Sequence, residues 1–248
     1  ADLLGSDIVM QLDECVAYPA EEARARAAME LSARWAARSK AAFGSRDTQT
    51  LFGIQQGSTF EHLRRESAER LIEIGFGGYA IGGLAVGEGH QAMCDTLDFA
   101  APMLPVERPR YLMGVGTPQD IVRSVGLGID MFDCVIPTRS ARFGRLYVGK
   151  GYINIRNKQY RADPLPIEEG CDCYACANFS RAYVSHLIHA DEILGAQLAS
   201  LHNLRFYQRL VAQIRHKISD GSFEAFAEDF LNAERDSGEL LPDLSNGR

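Results

Sequence analysis

The sequence predicts an α/β fold built on a parallel sheet. Short apolar stretches alternate with longer helical patterns over the first half of the chain, and polar residues recur where those stretches end. Alternation at this spacing is typical of βαβ units, whose strands run parallel. The pattern changes after Pro137, which predicts that a different kind of element follows the sheet.

Five βα units are predicted in order along the chain. The predicted strands cover residues 7–14, 51–57, 78–88, 110–116 and 129–137. The predicted helices cover 20–43 and 59–74, a stretch from about residue 90, and a stretch opened by Thr117-Pro118. Proline favours the first turn of a helix, which supports the last of these. A closed (β/α)8 barrel contains eight such units, so we expect three more to precede residue 1.

Residues capable of chemistry fall at the C-terminal ends of the predicted strands, where parallel α/β folds build their sites. They are Asp13, Gln55-Gln56-Gly57, Gly82-Gly83-Leu84, Met113-Gly114 and Asp133. Asp133 is the most unusual, because it interrupts an apolar run in which an ionised carboxylate is costly unless paired or used. Ile136-Pro137 predicts that the chain stays extended beyond it. Helix capping is the alternative role for any single Asp at a strand end.

The segment 78–89 carries five glycines around the end of the third strand. Its spacing matches neither a dinucleotide-binding fingerprint nor a phosphate-binding P-loop. It predicts a tight turn, whose free backbone N–H groups could bind a flat heterocycle.

The net charge of −7 argues against a nucleic-acid partner, but the charge distribution argues for one. Seven basic residues and no acidic residue lie between positions 139 and 161: Arg139, Arg142, Arg145, Lys150, Arg156, Lys158 and Arg161. Local patches decide where a polyanion binds. An ordinary solvated surface is the alternative interpretation.

The second half of the chain predicts a hairpin and a metal site. Residues 145–157 alternate like a hairpin with its turn at 149–151, and a C-x-C-x₂-C motif follows at Cys171, Cys173 and Cys176. Three thiolates and one further ligand can hold a structural zinc ion. The candidates for the fourth ligand are His186, His189 and His202. We expect helices over 178–200, 202–219 and 222–234, with His202 at the start of the second, and a frayed polar tail.

Taken together, these motifs resemble one family, the bacterial tRNA-guanine transglycosylases (queuine tRNA-ribosyltransferases). The matching runs occur in the family's order and cover nearly the whole chain: SDIVMQLDEC, FGIQQG, GYAIGGLAVGE, YLMGVG, DMFDCVIPTR, INIRN, CDCYAC, SRAYVSHL and EILGAQL…HN. The resemblance implies exchange of guanine at the tRNA wobble position, in GUN anticodons, for 7-aminomethyl-7-deazaguanine during queuosine biosynthesis.

The resemblance also implies an architecture. We expect a (β/α)8 TIM barrel, of which this chain carries the last five units, with an inserted zinc-binding subdomain. The expected parts are a partial barrel over 1–140, a hairpin with the zinc subdomain over 141–204, and C-terminal helices over 205–248. The family's second catalytic aspartate and its base-stacking aromatic residue would precede residue 1. A homodimer through the zinc subdomain is implied, near Phe179, Tyr183 and His186.

Individual residues take roles by resemblance. Asp133 looks like the nucleophile that forms a covalent bond to ribose C1′. The residues similar to the family's base pocket are Asp13, Cys15, Gln56, Gly83, Leu84, Ala85, Glu88 and Met113, with Glu88 supporting the Leu84-Ala85 peptide. The residues similar to the zinc ligands are Cys171, Cys173, Cys176 and His202. The basic segment, chiefly Arg139, Arg142, Lys150, Arg156 and Lys158, is expected to hold RNA phosphates.

Two expectations concern partners and location. The partners implied are a tRNA anticodon stem-loop and a 7-deazaguanine base; no apolar run is long enough to predict a membrane span. The cysteine pattern does not resemble a secreted disulfide framework, which favours the cytoplasm. The alternative function is a non-catalytic, zinc-stabilised RNA-binding subunit of the same family.

Overall fold

The structure is a computed structural model that describes residues 5–149 and 151–237, with side chains through residue 232. These residues form two compact units. The first comprises 5–115 with Arg123–Asp133, and the second comprises Gly116–Val122 with 134–237. The three-part division expected from the sequence stays a prediction.

A five-stranded, all-parallel sheet organises the first unit. Its strands are β1 (Ile8–Met10), β2 (Thr50–Gln55), β3 (Gly78–Ile81), β4 (Arg110–Leu112) and β5 (Met131–Phe132). They lie in the order β1-β2-β3-β4-β5, with every neighbouring pair parallel. The predicted parallel α/β sheet is therefore confirmed. The strands are shorter than predicted, and each ends before the residue expected to be functional at its C-terminal end.

Helices connect the strands in the predicted alternation. They are α1 (Glu22–Phe43), α2 (Glu61–Ile74), α3 (Gly89–Ala100) and α4 (Pro118–Gly126), with a 3-10 turn at Ala101–Met103. One apolar core joins α1, α2 and α3 to the sheet through residues such as Ala36, Leu71, Ile81, Leu97 and Leu112. Thr117 Oγ1 accepts a hydrogen bond from Asp120 N at 3.1 Å, so α4 starts as predicted, with a Thr cap and Pro in its first turn.

The prediction for residues 129–137 is wrong in two respects. The strand ends at Phe132, and Asp133 lies exposed immediately after it rather than inside a buried run. The chain does not stay extended, because helix α5 (Ile136–Arg142) begins at Ile136. Pro137 sits in the first turn of α5, where its fixed φ is pre-organised for a helix and its missing N–H costs nothing.

The second unit contains a hairpin and helices. Strands β6 (Arg145–Val148) and β7 (Gly151–Asn154) pair antiparallel, as predicted. After a 3-10 turn at Lys158–Tyr160 come α6 (Tyr174–Asn178), α7 (Arg181–His189), α8 (Ile193–Ser219) and α9 (Phe223–Ser237). A separate apolar core includes Leu146, Ile155, Val184, Ile188 and Leu198.

The predicted helix boundary near residue 201 is wrong. α8 is continuous for 27 residues, and the break in the chain lies earlier, around Asp191 with its φ of 54°. His202 is therefore in the interior of a helix rather than at its start. The side chains of His202 and Asn203 are both buried and bonded to neighbouring elements. The last helix is confirmed, while the tail from residue 238 lies outside the described residues.

Among the helices that the structure describes, none combines the length and the apolar character that crossing a membrane requires.

Candidate active site and metal centre

The C-terminal edge of the parallel sheet carries the predicted site residues of the first unit. Gln56 directly follows β2, Met113 directly follows β4 and Asp133 directly follows β5. Asp13 and Gly83 come within three residues of the ends of β1 and β3. Parallel strands end at one edge, so five consecutive strands present these residues side by side.

Asp13 and Gln56 contact each other directly. Gln56 Nε2 donates to Asp13 Oδ2 at 2.7 Å, and the Gln56 backbone N–H donates to Ser67 Oγ at 3.0 Å. A side chain at Gly83 would meet Gln56 Oε1 at 2.6 Å, and Gly83 has a φ of 67°. Both the close approach and the backbone conformation therefore favour glycine here.

Glu88 holds the turn that follows Gly83. Its Oε1 accepts from the Ala85 N–H at 2.5 Å and its Oε2 accepts from the Val86 N–H at 2.9 Å. Ala85 has a φ of 58°, which is uncommon for a residue with a Cβ. The N–H and C=O of a trans peptide point in opposite directions, so the Leu84 carbonyl points away from Glu88.

Two further predicted pocket residues lie on the same edge. Cys15 is exposed two residues after Asp13, and Met113 is half-buried between β4 and Gly114. The described contacts do not join either side chain to the Asp13–Gln56 pair by a hydrogen bond.

Asp133 is held by two donors. Tyr111 donates its hydroxyl to Asp133 Oδ1 at 2.6 Å, and the Gly114 N–H donates to the same oxygen at 2.9 Å. Partial burial and the adjacent carboxylate raise the pKa of Tyr111 above its ordinary value, so the phenol stays protonated as a donor. Both hydrogen bonds are accepted by the same oxygen, Oδ1, and they fix the orientation of the carboxylate. Asp130 makes a different contact from Asp133. Just before β5, its Oδ2 accepts a hydrogen bond from the Arg110 N–H at 2.9 Å.

Sequence reasoning missed three residues that organise this edge. Tyr111 and Ser67 supply bonds to Asp133 and Gln56, and Arg64 lies fully buried beneath the turn after β3. A phenol placed two residues before the strand-end Met113 was a usable signal for Tyr111. Nothing distinguished Arg64 from the other arginines of α2.

Four potential metal ligands converge in the second unit: Cys171, Cys173, Cys176 and His202. His202 Nδ1 lies 3.8 Å, 3.7 Å and 3.4 Å from the three sulfurs in that order. A tetrahedral ion with Zn–S of about 2.3 Å and Zn–N of about 2.0 Å separates its ligand atoms by roughly 3.5–3.8 Å. The three sulfurs and one imidazole nitrogen therefore fit a single metal ion, which confirms a metal-binding cluster.

The surroundings of His202 orient it for that role. His202 Nε2 lies 2.8 Å from the Tyr147 carbonyl oxygen, so Nε2 carries the proton and Nδ1 turns its lone pair to the sulfurs. Burial lowers the pKa of His202, which keeps the ring neutral at pH 7. Burial raises the pKa of Cys173 and of Cys176. Cys176 partly offsets the effect at Cys173 by hydrogen bonding, whereas the Cys171 and Cys173 thiols add to it at Cys176. A bound divalent cation would stabilise the thiolates and so lower the pKa values of both cysteines.

The predicted basic residues are distributed over several elements of the second unit. Arg139 and Arg142 lie on α5, Arg156 and Lys158 follow the hairpin, and Lys150 lies outside the described residues. Arg142, Arg156 and Lys158 are exposed and Arg139 is half-buried. Arg156 Nη2 is 3.9 Å from Asp191 Oδ1, an exposed contact of little energetic weight.

Aromatic side chains cluster near the metal ligands in sequence. Phe179 and Tyr183 stack with ring centroids 5.2 Å apart, and Tyr174 meets Phe179 edge-on at 5.7 Å. Tyr174 and Tyr183 are 60% and 40% exposed, so the cluster is partly open to solvent.

The family model described as queuine tRNA-ribosyltransferase matches residues 1–236. The chain belongs to this family. The family predicted from the sequence motifs is thereby confirmed, and its name describes an enzyme of the glycosyltransferase type.

Several curated relatives carry the same name. A queuine tRNA-ribosyltransferase of Caulobacter vibrioides is 65% identical over 230 residues, which cover 93% of this chain and 62% of the relative. One of Zymomonas mobilis is 58% identical, covering 92% of this chain and 60% of the relative. A third relative, from Thioalkalivibrio sulfidiphilus, is 56% identical, and the match covers 96% of this chain and 64% of the relative. The chain thus spans about three fifths of the length of the relatives it matches.

Proposed function

We propose that the protein carrying this chain exchanges guanine at the wobble position of tRNA for 7-aminomethyl-7-deazaguanine, in GUN anticodons, through a covalent Asp133–ribose intermediate. The observation that carries the proposal is the Asp133 carboxylate, fixed by Tyr111 and Gly114 on the sheet edge that also bears the Asp13–Gln56 pair. The relatives' name supports the same activity.

The reaction is a double displacement at ribose C1′. Asp133 Oδ2 attacks C1′, the C1′–N9 bond breaks, and its electron pair leaves with guanine, which takes a proton from a general acid. The N9 of the incoming base then loses its proton and attacks C1′, and the ester to Asp133 breaks to restore the carboxylate. A carboxylate nucleophile divides one difficult displacement into two easier ones. The resemblance assigns the general acid to an aspartate that precedes residue 1.

The Asp13–Gln56–Gly83 cluster would bind the base. Asp13 accepts from the pyrimidine edge, and the Gln56 amide and the Gly83 N–H supply complementary bonds. The Leu84-Ala85 peptide, supported by Glu88, reads the exocyclic amine, and Cys15 and Met113 line the pocket. The base must leave the anticodon stack to reach such a pocket, as enzymes acting on bases require.

The metal is proposed to be one structural Zn²⁺ per chain. Cysteine and histidine ligands suit zinc, and four protein ligands leave no open position for catalysis. Cys171, Cys173, Cys176 and His202 would hold it, and the ion would supply folding energy to the second unit.

The five parallel strands would form part of a closed (β/α)8 barrel. Sequential strand order supports this, because consecutive right-handed crossovers keep all connecting helices on one face of a sheet. Arg139, Arg142, Arg156 and Lys158, with Lys150, would hold phosphates flanking the anticodon, and the cluster of Tyr174, Phe179 and Tyr183 would form a homodimer contact.

Exchange of radiolabelled guanine into tRNA by the complete protein tests this function. We expect exchange by the wild type and by Asp130→Asn, and none by Asp133→Asn, because an amide is a far weaker nucleophile. Exchange by Asp133→Asn at the wild-type rate would contradict the assignment. Binding of tRNA with no exchange by the wild type would favour the non-catalytic RNA-binding subunit.

A further inference from the structure

Arg64 is a buried cation close to the proposed base pocket. It lies in the first turn of α2, where a positive charge opposes the helix dipole, and its side chain is 0% exposed. The adjacent Arg65 is exposed and pairs with Glu61 at 2.8 Å. Helix formation therefore does not explain Arg64, and burying a guanidinium requires a specific set of partners.

Those partners are backbone carbonyl oxygens at the ends of two neighbouring strands. Arg64 Nε donates to Ser58 O at 2.8 Å, and Nη1 donates to Gln55 O at 2.9 Å and Gly82 O at 2.7 Å. Nη2 reaches Gly83 O at 3.4 Å. One planar guanidinium thus ties the end of β2 to the turn after β3, which a lysine could not do with the same geometry.

The charge of Arg64 has no carboxylate partner within salt-bridge distance among the described residues. Burial lowers the pKa of Arg64 to about 10, and charge interactions with Cys15 and Glu88 oppose this shift. The side chain therefore stays protonated at neutral pH, and its positive charge is spread over carbonyl dipoles rather than cancelled.

This charge lies next to the residues proposed to contact the base. A Cβ at Gly83 would be 2.6 Å from Gln56 Oε1 and 3.7 Å from Arg64 Nη2. The Gln56 amide and the Arg64 guanidinium therefore both lie close to Gly83, on the side to which a Cβ would point. A fixed charge in a site from which water is excluded acts strongly on charge that develops nearby.

We propose that Arg64 is a positioning residue whose buried positive charge favours departure of the base as an anion. The inference rests on the proposed function. When the C1′–N9 bond breaks, the electron pair leaves with N9, and the base is negative until a proton arrives. Arg64 would stabilise that anion through the Gly82-Gly83 turn without contacting it.

Single-turnover adduct formation tests this with three variants, Arg64→Gln, Arg64→Lys and the control Arg65→Gln, each checked for folding by thermal melting. The substrates are tRNAs with guanine or the more acidic 8-azaguanine at the wobble position. With guanine, we expect Arg64→Gln to lose about a hundredfold in rate, as for removal of one preorganised electrostatic contact, and Arg65→Gln to match the wild type. The 8-azaguanine substrate should recover most of the loss, because its anion needs less stabilisation.

Equal losses with both bases, or no loss in a folded Arg64→Gln protein, would overturn the inference. If Arg64→Gln does not fold, the pH dependence of the rate of adduct formation by Arg64→Lys tests the inference instead. A buried lysine loses its proton at lower pH than arginine, so the Arg64→Lys rate should fall as the pH rises between about pH 7 and 9, relative to the Arg65→Gln control. Parallel profiles would overturn the inference. A wild-type protein that forms no adduct would overturn the proposed function itself, and this inference with it.

Discussion

The Tyr111 hydroxyl lies 2.6 Å from Asp133 Oδ1 and donates a hydrogen bond across neighbouring strand ends. The Gly114 N–H donates to the same oxygen. The carboxylate is thus fixed in orientation although it is exposed to solvent. Orientation of a reacting group is a large part of catalysis, because it replaces an entropic cost paid during the reaction.

Replacing Tyr111 should slow adduct formation without abolishing it. Tyr111→Phe removes one hydrogen bond to a charged group, worth about 1.5–3 kcal/mol, and we expect a rate about ten- to a hundredfold lower. Single-turnover kinetics with tRNA would measure it, with Tyr160→Phe in the second unit as the control. A Tyr111→Phe protein as fast as the control would show that Asp133 is oriented by other groups.

Glu88 should control binding of the base through the turn after β3. Glu88→Gln replaces one of two acceptors by an NH₂ group, which cannot accept from the Ala85 or Val86 N–H. We expect the affinity for free guanine to fall about tenfold, the effect of about 1.4 kcal/mol. Calorimetry on Glu88→Gln and on the exposed control Glu73→Gln would measure it. Equal affinities would exclude this role.

The choice of His202 as fourth ligand has a direct test. His202→Ala should lose the metal, and the second unit should melt about 10 °C lower if about 3 kcal/mol of binding energy is lost. His189→Ala, which alters a rival histidine of α7, should keep one metal per chain. Elemental analysis would measure the metal content of both variants. A His189→Ala protein without metal, together with a His202→Ala protein that keeps it, would show that His189 is the fourth ligand.

Metal binding should release protons at pH 7. The pKa values of Cys173 and Cys176 are raised by burial, so both thiols are protonated without metal and must ionise to bind it. His202 has a lowered pKa and is already neutral, so it contributes no proton. We expect release of about two or more protons per metal and weaker binding as the pH falls. Calorimetry in two buffers of different ionisation enthalpy measures the number of protons released. Release of fewer than about one proton per metal ion would contradict this account.

The exposed aromatic cluster should hold the proposed homodimer. Tyr183→Ala removes a ring that stacks on Phe179 at 5.2 Å, and buried aromatic residues often dominate interface energy. We expect a weaker dimer by sedimentation, whereas the control Tyr160→Ala should behave as the wild type. An unchanged dimer would place the interface elsewhere.

Much of the fold could be predicted from periodicity, because five apolar stretches and their intervening helices have distinct repeats. The errors lie where tertiary contacts decide. Ile136-Pro137 was expected to be extended chain but begins α5. His202 was expected to begin a helix but is buried in the interior of α8. Asn203 donates to Pro137 O at 2.9 Å and accepts from the Tyr147 N–H at 3.0 Å, contacts invisible to a local pattern.

The site could be predicted only in part for a related reason. Residues at strand ends stand out, so Asp13, Gln56 and Asp133 were found. Arg64 could not be recognised in this way, because its neighbours form an ordinary charged helix surface. Arg65 pairs with Glu61 at 2.8 Å, and Arg70 pairs with Glu66 at 2.6 Å. Only the structure distinguishes the buried arginine from its exposed neighbour.

The central claim is that Asp133 becomes covalently bonded to ribose. Mass spectrometry of protease digests, after mixing the complete protein with tRNA and denaturing it, tests this most directly. We expect a nucleotide-bearing peptide that spans residues 131–139 with the added mass on Asp133, and no such peptide from Asp133→Asn, while Asp130→Asn retains it. A nucleotide adduct on another residue, or an undiminished adduct in Asp133→Asn, would contradict the account.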